Sequence, residues 1–218
     1  MKIHPTAVID PKAEIESTVE IGPYVVIEGP VKIKGGTRVM AHAYLTGWTE
    51  IGERNEIHPG AILGDAPQDK AYKGEVSYLR IGDQNIFREY VQVHRGTVAD
   101  SSTDIGNNNF LMATAHVGHN CKLGDQVILA NNALLGGYVE VGNSVFISGN
   151  CVVHQFVRIG TLAMVGGLSG VEFDVIPYGS VIGNRAWLAG LNLVGLRRRG
   201  VARDDIHALR RAYQELFA

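Results

Sequence analysis

The chain has 218 residues, 45% of them hydrophobic, and a formal charge of -2 at pH 7. That is enough for a packed core, and the near-balanced charge excludes the general basic excess of a nucleic-acid binder. The opening MKIHPTAVIDPKAEIE has no basic-then-apolar leader, and no stretch approaches the ~18 apolar residues of a membrane span, so a cytoplasmic protein without an integral membrane segment is expected. Cys121 and Cys151 are neither CxxC-spaced nor numerous enough for a disulfide framework, and both are expected as reduced structural thiols.

From Ile3, every sixth residue is apolar for eleven positions, through Ile9, Ile15, Ile21, Ile27, Ile33, Val39, Leu45, Ile51 and Ile57 to Leu63. The count resumes at Ile81, Phe87 and Val93, then runs unbroken from Ile105 to Val171, so that only Asp69, Glu75 and Ala99 depart from it. Ile, Leu, Val and Phe are 64 of the 218 residues, and random placement would fill about 8 or 9 of the 29 positions, where 26 are filled. A period of six is neither helix nor coiled coil; it predicts an all-β parallel β-helix of hexapeptide repeats. Each unit is one short strand and a turn, three units close a coil of 18 around a triangular prism, and residues 18 apart stack at about 4.8 Å. Residues 3 to 176 make about nine to ten such coils.

Two polar interruptions keep this modulus, at about 65–80 and 95–104, and read as loops thrown off a rigid scaffold, where function concentrates. The pattern ends at Pro177, so residues 1–180 form the β-helix and 181–218 a C-terminal extension. In the extension, from about Asp204, Ile206, Leu209, Tyr213 and Leu216 fall on one face of a short amphipathic helix.

Within AHVGHNCKLG, His116 and His119 lie three residues apart. The stacking rule aligns His119, Gly137 and Gln155 along one edge: an imidazole, a residue without a side chain, and an amide. A glycine one coil above a histidine exposes a backbone N–H of the kind an oxyanion requires, although a coil turn could also demand glycine there. Imidazole titrates near 6.5 and suits removal of a hydroxyl proton. A zinc site from His116, His119 and His154 with His94, or solvated turn histidines, are the competing readings. The HVGH pair is tighter than the pair in hexapeptide zinc enzymes of the carbonic anhydrase type, and no supporting carboxylate is obvious, so no metal is expected.

Over nearly its whole length the chain resembles the UDP-N-acetylglucosamine O-acyltransferases of lipid A biosynthesis. The resemblance is carried by IHPTAVIDP, NEIHPGAILGDAPQD, VQVHRGT, NNNFLMATAHVGHNC, LANNALLGGYV, VVHQFVRIG, MVGGLSGV and GLRRRGV. It implies a left-handed coil, a homotrimer with active sites between subunits, and no metal or other cofactor. It also implies transfer of an (R)-3-hydroxyacyl chain from acyl carrier protein to the 3-hydroxyl of UDP-N-acetylglucosamine by direct attack.

The resemblance implies His119 as general base and Gly137 as oxyanion donor. It implies substrate contacts from Asp69, His116, His154 and Gln155, with Asn192, Arg198 and Arg199 at the uridine and phosphate end. Gly167 matches the position that limits acyl length. Residues 181–218 read as a shortened form of the family's helical domain. Asn120 stands where aspartate is common and offers no carboxylate, so a weaker base, or one oriented by a backbone carbonyl, is expected. Ala71, Tyr138, Val194 and Arg185 also depart from common residues. A 3-amino sugar acceptor and a non-catalytic trimeric scaffold are the alternative functions.

Overall fold

In the computed structural model, which describes residues 2–217, strands of two to five residues stack into three sheets of 11, 9 and 8 strands, parallel throughout except that the first ends in an antiparallel hairpin. Register follows the sequence count. Ile3 pairs with Ile21 and Ile105 with Leu123, eighteen residues on. Across the first loop the step lengthens, so that Leu63 pairs with Val93; across the second, Val93 pairs with Val117. The anchors return to the same column each time because the extra residues leave the prism as loops 66–77 and 95–101.

The anchors form one continuous core. Ile27, Leu45, Ile57, Leu63, Phe87, Leu111, Val117, Leu129 and Ile147 are fully buried, whereas Ile3 on the first coil is 40% exposed. Inside one corner the buried amides of Asn55, Asn85 and Asn109 each accept the backbone N–H of the next coil at 2.7–2.9 Å. Polar groups thereby enter the core with a partner for their carbonyl oxygen.

Coils turn through a left-handed residue three places after the anchor, among them Asn108, Asn120 and Asn132, but also Tyr138, Phe156 and Leu168. Outside glycine that conformation costs roughly 1–2 kcal/mol per residue. Ladder bonds offset it: Tyr138 N–H donates to the His119 carbonyl at 2.9 Å and Phe156 N–H to the Gly137 carbonyl at 3.0 Å.

The outward faces differ. On the third sheet, Glu14, Lys32, Glu50, Arg80, Asp104, Lys122, Glu140 and Arg158 alternate in sign from coil to coil, each beside its opposite. Opposite charges side by side suit a solvated face. The first sheet instead presents Ile86, Phe110, Ile128, Phe146 and Met164 in one column.

Beyond the coils, Gly179–Ile182 pairs antiparallel with Trp187–Leu191 in a hairpin that straddles residue 180. Two helices follow, α1 (Leu193–Arg198) and α2 (Arg203–Phe217), where the sequence pattern predicted one. α1 escapes a periodicity reading because it is six residues long and buries only Leu196; Gly200, at φ +71°, ends it. On α2, Ile206 is buried, Leu209 and Tyr213 are half-buried, and Leu216 is 74% exposed. Among the described residues no helix is long and apolar enough to cross a membrane.

Candidate active site

His119, Gly137 and Gln155 stack at the corner that follows the second sheet, as their spacing requires. They line a groove of about 420 Å³ together with His116, His154 and two residues the sequence reading did not place there as substrate contacts, Gln68 and His94. A Cβ built on Gly137 would lie 2.6 Å from both Cε1 and Nε2 of His119. Gly137 has no left-handed φ, so the turn itself does not demand glycine. The imidazole beneath it does.

Backbone chemistry distinguishes this corner from its neighbour. At the corner after the third sheet, the N–H groups of Glu53, Asp83, Asn107 and Asp125 each donate to an Asp or Asn side chain of the next coil at 2.6–2.8 Å. At the His119 corner, among the described residues, only Gly29 N–H meets such a side chain, Asp10 Oδ2 at 3.1 Å, and Gly137 N–H has no acceptor. Proline occupies the equivalent turn position at Pro5, Pro11, Pro23, Pro59 and Pro177, consistent with an N–H that the coil itself does not use. An unpaired, accessible N–H beside an imidazole can receive developing negative charge.

His119 Nδ1 lies 3.0 Å from Asn120 Oδ1, and the same oxygen accepts the backbone N–H of Thr97 at 3.0 Å. The expectation of a backbone carbonyl partner is therefore corrected: the buried side chain of Asn120 itself meets the ring. Thr97 Oγ1 donates to Asp69 Oδ2 at 3.0 Å, and Ala71 N–H donates to Asp69 Oδ1 at 2.9 Å. These bonds, that from Ala71 first, hold the Asp69 carboxyl below its usual range. Both loops thus close on the base. Thr97 was visible in the sequence only as part of HRGT; its contacts span chain separations that no local spacing records.

The loops are braced by the neighbouring residues of the same motif. His94, buried, holds its Nδ1 2.6 Å from the Ala66 carbonyl, and Arg95 donates to the Gly64 carbonyl at 2.7 Å and to the Tyr72 hydroxyl at 2.9 Å. The His94 and His116 rings lie 5.2 Å apart. Burial, then the nearby His94, pushes His116 down to about 4, so it enters the groove as neutral imidazole. Tyr138 sets its ring edge-on to His119 at 5.3 Å and stacks on Phe156 at 4.9 Å, so this departure walls the base with aromatic carbon. His154 is exposed, its Nδ1 3.0 Å from the Gln155 carbonyl.

The other predicted residues lie elsewhere on the prism. Asn192 caps α1 by accepting Gly195 N–H at 2.9 Å, and donates to the Leu162 carbonyl at 2.8 Å, at the corner after the third sheet. Arg199 donates to Gln126 at that same corner, and Arg198, in the last turn of α1, is exposed. Gly167 occupies the third corner, where an added Cβ would meet only the Gly149 carbonyl at 3.7 Å and Ser148 Cβ at 3.9 Å. Within one chain these residues do not share a groove with His119.

Among the described residues no three His, Cys, Asp or Glu side chains converge as metal ligands, and the four histidines of the zinc reading do not form such a set. Cys121 and Cys151 are both free and buried. Cys121 donates to the Gly136 carbonyl at 3.1 Å, and burial pushes its thiol up to about 12, which leaves it inert as a nucleophile.

Comparison with known proteins agrees with the fold. Residues 102–137 match a family model described as bacterial transferase hexapeptide (six repeats), and residues 174–218 one described as Udp N-acetylglucosamine O-acyltransferase, domain 2. The acyl-[acyl-carrier-protein]--UDP-N-acetylglucosamine O-acyltransferase of Thermodesulfovibrio yellowstonii is 50% identical over 217 residues, covering 99% of this chain and 84% of that one. The enzyme of the same name from Syntrophobacter fumaroxidans is 48% identical, covering 100% and 85%. The crystal structure of UDP-N-acetylglucosamine O-acyltransferase from Moraxella catarrhalis superposes with a TM-score of 0.97 at 44% identity, covering 100% of this chain and 85% of that one. With half its residues identical to a relative across almost its entire length, the chain belongs to the UDP-N-acetylglucosamine O-acyltransferase family.

Proposed function

We propose that the chain performs its family's reaction, the first step of lipid A biosynthesis, with His119 as general base. Nε2 of His119 takes the proton from the 3-hydroxyl of UDP-N-acetylglucosamine as that oxygen attacks the thioester carbonyl of a 3-hydroxyacyl carrier protein. The carbonyl oxygen becomes an oxyanion beside Gly137 N–H. Collapse breaks the carbon–sulfur bond, and the imidazolium returns the proton to the departing thiolate. The observation that carries this reading is His119 directly beneath the glycine whose N–H is unpaired. Direct attack is supported by the groove lining, which holds no serine, threonine or cysteine, and by the buried, inert Cys121.

Asp69, His116, His154 and Gln155 serve as substrate contacts, and Asn192, Arg198 and Arg199 as the nucleotide and phosphate end. For these groups to meet His119, a second copy must supply the corner that carries α1. The apolar column Ile86, Phe110, Ile128, Phe146 and Met164 offers a face for such packing, and a homotrimer sets each groove between two chains. Guanidinium groups suit the diphosphate. Mass spectrometry of the product formed from UDP-N-acetylglucosamine and a mixture of 3-hydroxyacyl carrier proteins tests the reading: an O-linked 3-hydroxyacyl product is expected. No acylated sugar nucleotide, or turnover only with the 3-amino sugar, overturns it.

A further inference from the structure

The contacts around Asn120 determine where the protons of the base lie. A backbone N–H can only donate, so the Asn120 atom facing Thr97 N at 3.0 Å is the carbonyl oxygen and not the amide nitrogen. The same oxygen faces His119 Nδ1 at 3.0 Å. An acceptor there requires the ring proton on Nδ1, which leaves the lone pair on Nε2, the atom beneath Gly137. An asparagine beside a histidine is otherwise ambiguous. Turned over, its NH₂ would demand a lone pair on Nδ1 and drive the proton to Nε2; a wrong tautomer of that kind lowers turnover by about 10⁴ in the serine-protease triad.

We propose that Thr97 and Asn120 together form an uncharged tautomer lock: Thr97 N–H fixes the amide of Asn120, and the amide oxygen fixes the proton of His119 on Nδ1. Thr97 and Asn120 are positioning residues, acting through the ring and not on substrate. The lock also joins the two loops, because the Thr97 hydroxyl holds Asp69 Oδ2 at 3.0 Å. One residue of the second loop therefore sets both the base and the carboxylate proposed to meet the sugar. The inference rests on reading His119 as the general base.

The test uses the full chain labelled with ¹⁵N-histidine, observed by long-range ¹H–¹⁵N spectroscopy, with the His119 signals assigned by their loss in His119→Gln. The wild type shows the Nδ1–H pattern. Asn120→Ala shifts His119 toward Nε2–H and lowers turnover at least ~10-fold with Michaelis constants within about twofold, whereas Asn120→Asp, which keeps an acceptor oxygen, retains Nδ1–H and restores most of the turnover. Thr97→Val, which keeps the N–H but removes the hydroxyl, leaves the tautomer unchanged and raises the Michaelis constant for the sugar nucleotide. An Nε2–H wild type, or an Asn120→Ala variant with unaltered tautomer and turnover, overturns the lock. Should His119→Gln itself retain turnover, the base assignment fails instead, and the spectra still report the tautomer independently.

Discussion

Gly137 and His119, eighteen residues apart in sequence, are so close that a methyl group on Gly137 would sit 2.6 Å from Nε2 of the imidazole. Gly137→Ala is therefore expected to fold, since its φ is open to any residue, and to displace the ring or be displaced by it. Turnover should fall by about 10²–10⁴, the scale of a lost general base, because the added methyl displaces the imidazole while the backbone N–H is retained. Circular dichroism and steady-state kinetics on one preparation check both halves; near-normal turnover would mean that Gly137 is only a spacer.

His119→Ala should lose at least ~100-fold in turnover, the scale of general-base contributions, while its melting temperature stays near wild type because the side chain is only half-buried at a turn. A variant keeping more than about a tenth of the rate would show that another group takes the proton.

His119 and the arginines at the end of α1 sit on different corners, so two impaired variants should rescue one another. After co-refolding, an equal mixture of His119→Ala and Arg198→Ala/Arg199→Ala, assayed at low sugar nucleotide, should regain about a quarter of wild-type activity through hybrid sites. Alone, the double variant should show a raised Michaelis constant more than a lowered turnover. Mixtures that stay inactive would place each site within one chain.

A Cβ on Gly167 would meet its neighbours only at ordinary contact distances of 3.7 Å and 3.9 Å, so the first atom of a side chain fits there without moving the coil. Each methylene of the donor that finds apolar wall contributes about 0.8 kcal/mol, so an unobstructed groove favours long 3-hydroxyacyl donors. Gly167→Met should move the preference toward shorter chains in a competition assay. An unchanged donor profile would move the limit elsewhere, first to Arg185, exposed in the turn of the hairpin.

His116 makes stability depend on pH. Folding lowers it from 6.5 to about 4, so between these values the unfolded chain holds a proton that the folded chain rejects. Stability is accordingly lost as pH falls from about 6.5 toward 4, and burial of His94 acts in the same direction. His116→Gln should flatten the difference between urea midpoints at pH 7 and pH 5. An equally steep loss in the variant would assign the effect to other groups.

The β-helix was legible in the sequence because burial repeats locally: each anchor from Ile3 to Val171 marks its own unit, and stacking follows from counting. The same count aligned His119, Gly137 and Gln155, whose relation is set by the coil alone. Thr97, Asn120 and Asp69 were not legible as a unit, since their contacts depend on how two inserted loops fold against each other, and the residues within those loops carry no apolar period even though the loop lengths keep the sixfold count. Nor could spacing show that Arg199 turns to Gln126, because α1 returns along the prism by a path that the repeat does not encode. The proton position on His119 was decided last and most locally, by a single N–H of Thr97 that only the tertiary structure brings to the amide oxygen of Asn120.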